Sequence, residues 1–598
     1  MNIERNDMNA SNPFVVESPE KLAPNELVDL FVEKFTKIEV LKERKHTFLW
    51  GSRGSGKSMM LRYLDPQCQT ITHGSITKAL ERERFFAVYC PCKEGQLNKT
   101  DLKLLSEDAR SVITEHMLIL NVLDTLIDSM QRQFPQYHEE WSSFAEHVIN
   151  LFDRPSIASS KAEADITEDL SKKPLGWLRE LVAIENRKLC KFLRDNALLS
   201  GRADYQGVTS GYHDFLLPCL KSLQKIPGLL SVAIFVLLDD ADRLSDDQQR
   251  VLNTWVANRD QSTVCFKISA QHNEYRTFLT RGGGLIEQPH DYSEIDTDEV
   301  YTRSKSDYFN KVRLIAERRL KIYNVKTREI KEFLPPDPTE EALFQKIRLA
   351  TEKEWEQSQG PGRKQDFMTR YAKARLFQRL KANKQRKSYA GFGNLVHLSS
   401  GVVRDFLEPC YLMFDRCVEK GKDPQLIASI PPGVQNEIIF RYSEDFIILR
   451  FKKIRKDLPV EQWTVVDKLA TLIESLGRLF YERLHDPDAR EARLFSFTVH
   501  GTISSEIEEV LNLGLRYRYF QLRTYSTKEG GGRLKWYILN RLLCPVYKLD
   551  PTGFEGRISL TPEFLKIACE NPGRFVQLRL KLSDAFPKSK IDFYLTEG

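Results

Sequence analysis

The sequence lacks any run of about 18 apolar residues, the length that a membrane-spanning helix requires. Its first residues, 1–7, also lack the apolar core of a secretory signal peptide. These two absences make a cytoplasmic protein the expectation. Hydrophobic residues make up 41% and charged residues 29% of the 598 positions. This composition is that of a globular chain with room for about three or four domains.

Zinc-site spacing is missing from the ten cysteines, and the eleven histidines show no ligand spacing either. Cys90 and Cys92 form a close pair at the end of a predicted strand, but no second pair follows at the spacing of a zinc site. Because free cysteine is commonly buried, we expect buried thiols here. The formal net charge is only +6, so the distribution of charge along the chain is more informative than its sum.

Residues 51–58 form a complete phosphate-binding loop of the pattern G-x-x-x-x-G-K-[ST]. The apolar residues 47–50 predict a buried strand before it, and residues 59–64 predict a helix after it, which is the context the motif requires. The glycines permit positive φ angles, and successive backbone N–H groups can then surround a polyphosphate at a helix N-terminus. The loop consists of Gly51, Ser52, Arg53, Gly54, Ser55, Gly56, Lys57 and Ser58.

Lys57 and Ser58 of this loop, together with a later apolar strand, predict a site for a magnesium-bound nucleotide. Lys57 would contact the β- and γ-phosphates, and the hydroxyl of Ser58 would ligate Mg²⁺. Residues 232–238 are all apolar and are followed by Asp239 and Asp240. Asp239 would hold the metal directly or through water, and Asp240 would orient or deprotonate the attacking water. The alternative is a buried strand that merely ends in a turn.

Further candidates follow along the chain. Residues 264–271 predict another buried strand, with Ser269 and Gln271 at its exit as sensors of the γ-phosphate or as an ordinary polar pair. Arg281 precedes three glycines and is either a charge-stabilising finger or part of a hairpin turn. Residues 290–296 predict a further strand, whose acids lack calcium-loop spacing and are assigned no metal. Arg404, near the start of a predicted helix, could reach a γ-phosphate from a lid domain or be an ordinary surface arginine.

Charge becomes one-sided in the second half of the chain. Residues 363–387 hold ten Lys or Arg against one acid, and an apolar face at helical spacing predicts a basic amphipathic helix. Such a helix either follows a nucleic-acid backbone or presents a solvated or partner-binding face.

Residues 465–540 predict helix, strand, helix and a hairpin with a glycine tip, the order of a winged helix. Its basic and aromatic residues suit DNA contact, although winged helices also bind proteins. The DNA candidates are Arg516, Arg518, Arg523, Lys528, Arg533 and Lys535.

In this order the motifs resemble an AAA+ ATPase of the origin-recognition (ORC-like) group, in its bacterial branch. The resemblance covers roughly residues 12–415 and 460–575. It implies an α/β fold: a P-loop αβα sandwich with a parallel sheet, a helical insertion, a helical lid and a C-terminal winged helix. The implied domains are residues 1–300, with the insertion at about 133–208, residues 301–450 and residues 451–598.

The resemblance also implies ATP and Mg²⁺ as cofactors and nucleotide-controlled binding of double-stranded DNA or assembly into a homo-oligomer. Asp239 would take Mg²⁺, Ser269 or Gln271 would be sensor one, and Arg404 would be sensor two. A bacterial defence or mobile-element system, with a separate effector or nuclease, is one setting for such a protein.

Two features depart from the family pattern. Lys57 and Asp239 are farther apart in the sequence than a compact core of this family needs, which predicts the helical insertion. The second acid is Asp240 where glutamate is usual, which predicts slow hydrolysis. Two other functions remain open: a STAND-like signalling ATPase that senses a protein or foreign molecule, and a transposition-type target selector that forms filaments on DNA.

Overall fold

The computed structural model describes most of the chain and divides it into two compact units. The first unit is Glu17–Asp298, and the second combines Met1–Val16 with Glu299–Gly598. No helix in the described part is long and apolar enough to cross a membrane. The described residues are 12–92, 97, 100–134, 139–152, 174–199, 203–259, 263–272, 274–298, 307–358, 363–486, 493–526, 533–553 and 556–580.

The first unit is built on a five-stranded parallel sheet with the strand order β2-β3-β4-β1-β5. All seven residues of β3 and of β4 are buried, as expected for central strands covered on both faces. Because every strand is parallel, all carboxyl ends meet at one edge of the sheet, where ligands bind in open α/β folds. The strands are β1 (Thr47–Trp50), β2 (Phe85–Pro91), β3 (Ala233–Asp239), β4 (Val264–Ala270) and β5 (Ser293–Asp296).

Helices cover both faces of this sheet. Phe235 and Leu49 pack on one side with Leu27 and Met60, while Val236 and Phe48 pack on the other. Alternate strand residues therefore enter opposite cores, which makes an αβα sandwich, as predicted. The described helices of this unit are α1 (Pro24–Leu30), α2 (Ile38–Leu41), α3 (Lys57–Tyr63), α4 (Pro66–His73), α5 (Ile76–Glu83), α6 (Glu107–Gln133), α7 (Glu139–Leu151), α8 (Pro174–Leu198), α9 (Leu217–Leu223) and α10 (Asp246–Ala257).

The long connection between β2 and β3 is helical. The helix α6 is continuous over 27 residues, since no Gly or Pro interrupts it. Its buried residues Met117 and Leu126 belong to the same core as Val236 of the sheet, and α7 and α8 join that core. The Ser-, Ala- and acid-rich composition of residues 155–173 predicts a linker, and this segment lies outside the described residues.

The main hydrophobic core of the described part of the second unit runs from Phe14 to Val576, and Ala374, Phe377 and Leu484 form a small separate cluster. The N-terminal segment belongs to it: Asn12 Nδ2 donates to Tyr411 O (2.8 Å), and Arg319 donates to Pro13 O (3.1 Å). The described helices are α11 (Asp307–Ile322), α12 (Ile330–Phe333), α13 (Pro338–Ser358), α14 (Lys364–Ala382), α15 (Phe392–Leu398), α16 (Val403–Glu419), α17 (Pro432–Asp457), α18 (Trp463–His485), α19 (Ser505–Arg516), α20 (Cys544–Tyr547), α21 (Pro562–Glu570) and α22 (Pro572–Leu580).

A four-stranded sheet with the order β7-β8-β6-β9 completes the second unit. The helix–strand–helix–hairpin order runs through α18, β6, α19, β7 and β8, as the sequence predicted. Beyond it, β9 pairs parallel with β6, which the sequence did not indicate. The predicted glycine tip of the hairpin lies outside the described residues. The strands are β6 (Leu494–Val499), β7 (Phe520–Ser526), β8 (Arg533–Leu539) and β9 (Gly556–Leu560).

Candidate nucleotide-binding site

The phosphate-binding loop leaves β1 and enters α3 with the backbone that its glycines predict. The φ angles of Gly51, Gly54 and Gly56 are 156°, 91° and 106°. A Cβ atom at Gly51 would lie 2.0 Å from Thr297 Oγ1, so this position has no room for a side chain. Glycine is therefore required at Gly51 by close approach, and at Gly54 and Gly56 by the left-handed backbone.

Lys57 is a buried cation, and its hydrogen-bond acceptors among the described residues are two backbone carbonyl groups. Its Nζ donates to Gly51 O (2.6 Å) and Ser52 O (3.2 Å), and the residue is 5% exposed. Burial lowers the pKa of Lys57, although nearby aspartates, Asp298 foremost, act in the opposite direction. No described carboxylate lies within ion-pair distance of Nζ. A buried ammonium with these partners fits an anionic ligand such as a polyphosphate.

Asp239 and Ser269 come together at the carboxyl ends of β3 and β4. Ser269 Oγ donates a hydrogen bond to Asp239 Oδ1, and the backbone N–H of Asp240 donates to Ser269 Oγ (2.9 Å). Asp239 Oδ2 accepts a hydrogen bond from the hydroxyl of Tyr89 in β2 (2.7 Å). Asp239 is buried, so these bonds fix the direction of its carboxylate. The sequence analysis did not identify Tyr89.

Asp240 and Gln271 each have a different partner. Asp240 lies in the left-handed region (φ 57°) and pairs with Arg243 (3.0 Å). Burial and the neighbouring charge of Asp239 raise the pKa of Asp240. Gln271 binds Asp242 through its backbone N–H (3.0 Å) and its side-chain Nε2 (3.2 Å). Of the two sensor candidates, Ser269 is therefore the one that contacts the predicted metal ligand.

The chain that leaves β5 holds the phosphate-binding loop from its other side. Thr297 Oγ1 lies 2.7 Å from Ser55 Oγ, and Asp298 Oδ2 accepts from both the backbone N–H (2.7 Å) and the hydroxyl (2.6 Å) of Ser52. The sequence analysis missed both residues. The parallel pairing of β5 with β1 brings them beside the loop, and a sequence pattern alone does not reveal that pairing.

Two sets of side chains could hold a cation. Ser58, in the first turn of α3, and Asp239 supply the hydroxyl and carboxylate oxygens that suit Mg²⁺. Separately, ligand atoms of His272, Asp296 and Asp298 lie within 4.8 Å of one another. In that trio His272 Nε2 already pairs with Asp296 Oδ1 (3.1 Å).

Arg281 lies in a hairpin turn and pairs with Glu115 of α6 (2.5 Å). Leu279 and Leu285 form an antiparallel bridge on either side of the turn. Of the two interpretations of Arg281, this arrangement favours the hairpin turn over the charge-stabilising finger.

The remaining candidates belong to the second unit. Arg404 is the second residue of α16 and is half-buried. Among the predicted DNA-contacting cations, Arg516 at the end of α19 and Lys535 in β8 are exposed, and Arg523 in β7 is half-buried. Arg518 instead forms an ion pair with the buried Asp405 of α16. Lys528 and the side chain of Arg533 lie outside the described residues.

The basic segment is a helix only as far as Ala382, because Lys384 takes a left-handed conformation (φ 54°). The predicted helix over 363–387 is therefore wrong at its C-terminal end. Two of its cations pair with the neighbouring helix α13: Lys364 with Glu352 (2.6 Å), and Arg375 with Glu354 (2.7 Å). The first half of the basic segment therefore forms ion pairs with a helix of the same chain.

Comparison with known proteins places the chain in a family. The model of the ORC-CDC6-like family matches residues 12–358 and 345–560. No curated protein matches the sequence. Among solved structures, the Orc1 protein of Aeropyrum pernix in complex with DNA is 10% identical, with 90% of this chain and 96% of that chain covered. Its TM-score of 0.26 is too low to carry an argument. The family match spans both units, and the chain therefore belongs to the ORC-CDC6-like family of AAA+ ATPases.

Proposed function

We propose that this protein binds ATP with Mg²⁺ at the phosphate-binding loop, hydrolyses it slowly, and uses its nucleotide state to control its binding to double-stranded DNA. The observation that carries this proposal is the buried Lys57 ammonium in a complete phosphate loop, with Asp239 among the carboxylates whose charge acts on it. Family membership supports a nucleotide-dependent, DNA-associated ATPase in general. The proposed nucleotide ligands are residues 51–58 together with Asp239, Ser269, Gln271 and Arg404.

In this proposal Lys57 exchanges its carbonyl partners for phosphate oxygens when nucleotide binds. Ser58 and Asp239 would hold Mg²⁺, which would supply charge neutralisation for the phosphates. Ser269 keeps Asp239 oriented through the hydrogen bond between them. Asp240 orients a water for attack on the γ-phosphorus and accepts its proton, while the bond from the γ-phosphorus to the ADP oxygen breaks.

Slow turnover follows from the surroundings of Asp240. The side chain of Asp240 is one methylene shorter than that of glutamate. Its carboxylate also pairs with Arg243, which restricts its rotation toward a water molecule. A base that is partly neutralised by a neighbouring guanidinium accepts a proton less readily. The protein therefore acts as a switch more than as a motor.

The DNA-binding surface that we propose is the hairpin of a winged helix at residues 451–598, together with the C-terminal end of the preceding helix α19. Arg516 and Lys535 are exposed cations there, with Arg523, Lys528 and Arg533 as further contributors. Arg518 is left out because its guanidinium is engaged by Asp405. Residues 301–450 would form the lid that presents Arg404 to the γ-phosphate, and residues 1–300 would mediate assembly into a homo-oligomer.

Equilibrium binding of a duplex oligonucleotide, measured with ATP and with ADP over a series of salt concentrations, tests this function. Affinity should differ between the two nucleotides and should fall steeply with salt, since phosphate contacts release counterions. Weak DNA binding that ignores the nucleotide would instead favour the signalling ATPase. Regular ATP-dependent filaments on the duplex would favour the target selector.

A further inference from the structure

A cavity with a strongly cationic wall lies in the second unit. Its volume is about 580 Å³, within the range of ligand pockets in proteins. It forms where the end of α14 meets α17, α18 and α20. Its lining includes Lys381, Lys384, Arg386, Lys387 and Lys548, with Glu444 as the acid among its lining residues.

Four of these cations have no ion-pair partner among the described residues: Lys381, Lys384, Arg386 and Lys548. All four are exposed. Lys387 differs, because it is buried and paired with Glu340. Four uncompensated cations thus face a single carboxylate. The cluster therefore gives the cavity a positive potential that attracts anions.

The same cavity has aromatic walls. Tyr481 and Phe440 are half-buried and line it, and the ammonium of Lys381 lies 5.0 Å from the centroid of the Tyr481 ring. His485 donates from Nδ1 to the carbonyl of Tyr481 (2.8 Å). Burial lowers the pKa of His485 to about 4, and the charges of Lys381 and Lys548 act in the same direction. At neutral pH its Nε2 is therefore an uncharged hydrogen-bond acceptor.

Cations for phosphate, a ring for stacking and a neutral imidazole acceptor together suit one chemical class. We propose that this cavity is a second nucleotide site, distinct from the phosphate-binding loop, which takes the phosphate and the base of a nucleotide. The nucleotide can be free or part of a single strand, because both present the same groups. Lys381 and Lys384 bind the phosphate, and Tyr481 packs against the base. This inference does not depend on the function proposed for the loop.

The test uses the full chain with Lys57→Ala, so that the loop contributes as little binding as possible. Isothermal titration with ADP, with a hexathymidylate and with pyrophosphate gives three affinities. We expect ADP or the hexathymidylate to bind more tightly than pyrophosphate. Adding Lys381→Glu and Lys384→Glu should weaken that binding about 100-fold, since two charge-assisted contacts are lost. Tighter binding of ADP identifies a free nucleotide, and tighter binding of the hexathymidylate identifies a strand.

Arg379→Glu is the matched control, because Arg379 is an exposed cation of the same helix that does not line the cavity. It should leave the ADP affinity unchanged. Tyr481→Leu keeps apolar bulk and should weaken ADP binding severalfold without affecting pyrophosphate. The proposal is overturned if neither nucleotide probe binds, if the two lysine substitutions weaken binding no more than Arg379→Glu does, or if pyrophosphate binds as tightly as the tighter of the two nucleotide probes.

Discussion

The hydroxyl of Ser269 donates a hydrogen bond to the carboxylate of Asp239, across the ends of two neighbouring parallel strands. The same hydroxyl accepts from the backbone N–H of Asp240. One side chain therefore positions both acids of the proposed catalytic site. This relationship makes Ser269 a positioning residue whose loss should affect turnover more than nucleotide affinity.

Ser269→Ala should lower kcat for ATP hydrolysis about 10- to 100-fold while KM changes less than threefold, because the loss of one charge-assisted hydrogen bond costs roughly 1.5–3 kcal/mol. Steady-state kinetics measure both parameters. Ser222→Ala is a suitable control, since Ser222 is also buried in the first unit but bonds a helix carbonyl. Wild-type kcat in Ser269→Ala would remove Ser269 from the account.

Gly51→Ala should weaken ATP binding by tenfold or more. Its new Cβ would lie 2.0 Å from Thr297 Oγ1, so either the loop or the exit from β5 must shift. The double variant Gly51→Ala with Thr297→Ala should recover part of the affinity, since the nearest clashing atom is gone. Titration with a fluorescent ATP analogue measures both. Equal affinities for the single and double variants would show that the close approach to Thr297 is unimportant.

The pH dependence of hydrolysis should report Asp240. Its pKa is raised by burial and by Asp239, and Arg243 acts in the opposite direction. A general base must be deprotonated, so kcat should rise with pH through this elevated pKa. Arg243→Ala should move the acidic limb of the profile to higher pH. A limb that stays in place in Arg243→Ala would argue against Asp240 as the base.

Acid should destabilise the first unit through His116. Burial lowers the pKa of His116 to about 4, and its ring bonds Ser210 (2.7 Å) and Tyr205 (3.0 Å). The folded state then binds fewer protons than the unfolded state, whose pKa is near 6.5. Stability is full above 6.5 and falls as pH drops toward 4, by roughly 3 kcal/mol. His116→Gln should show a smaller drop in unfolding temperature between pH 7.5 and pH 5 than the wild type.

Substitutions of Arg518 and of Lys535 should separate an effect on folding from an effect on DNA binding. Arg518→Ala leaves the buried Asp405 without its ion-pair partner and should destabilise the protein by about 3–5 kcal/mol. Lys535→Ala alters an exposed side chain and should keep stability while lowering DNA affinity and the salt slope by about one. Thermal unfolding and duplex binding for each variant check the contrast. A reversal of the two effects would contradict the proposed surface.

The sequence predicted the nucleotide site where the signal is local. The phosphate-binding loop is a contiguous motif, and the apolar run before Asp239 indicates a buried strand by composition alone. Ser269 could be proposed because it lies at the exit of a similar run. These are the parts of the fold for which a few adjacent residues determine the backbone.

What the sequence did not reveal depends on pairing between distant segments. Tyr89, Thr297 and Asp298 join the site because β2 and β5 pair with particular neighbours in the sheet. The ion pair between Arg518 and the buried Asp405 also joins two residues that are far apart in the sequence. The pattern of residues 516–524 predicts the first strand of the hairpin, but α19 extends to Arg516 and Arg518 takes a left-handed conformation (φ 62°), so the strand begins at Phe520.

ATP hydrolysis with and without duplex DNA, by the wild type and by Lys57→Ala, tests the central claim most directly. The account predicts slow wild-type turnover that changes when DNA is added, and no turnover in Lys57→Ala. Turnover that survives Lys57→Ala would contradict the assignment of the loop. Turnover that requires Lys57 but ignores DNA at every concentration would contradict the coupling between nucleotide and DNA.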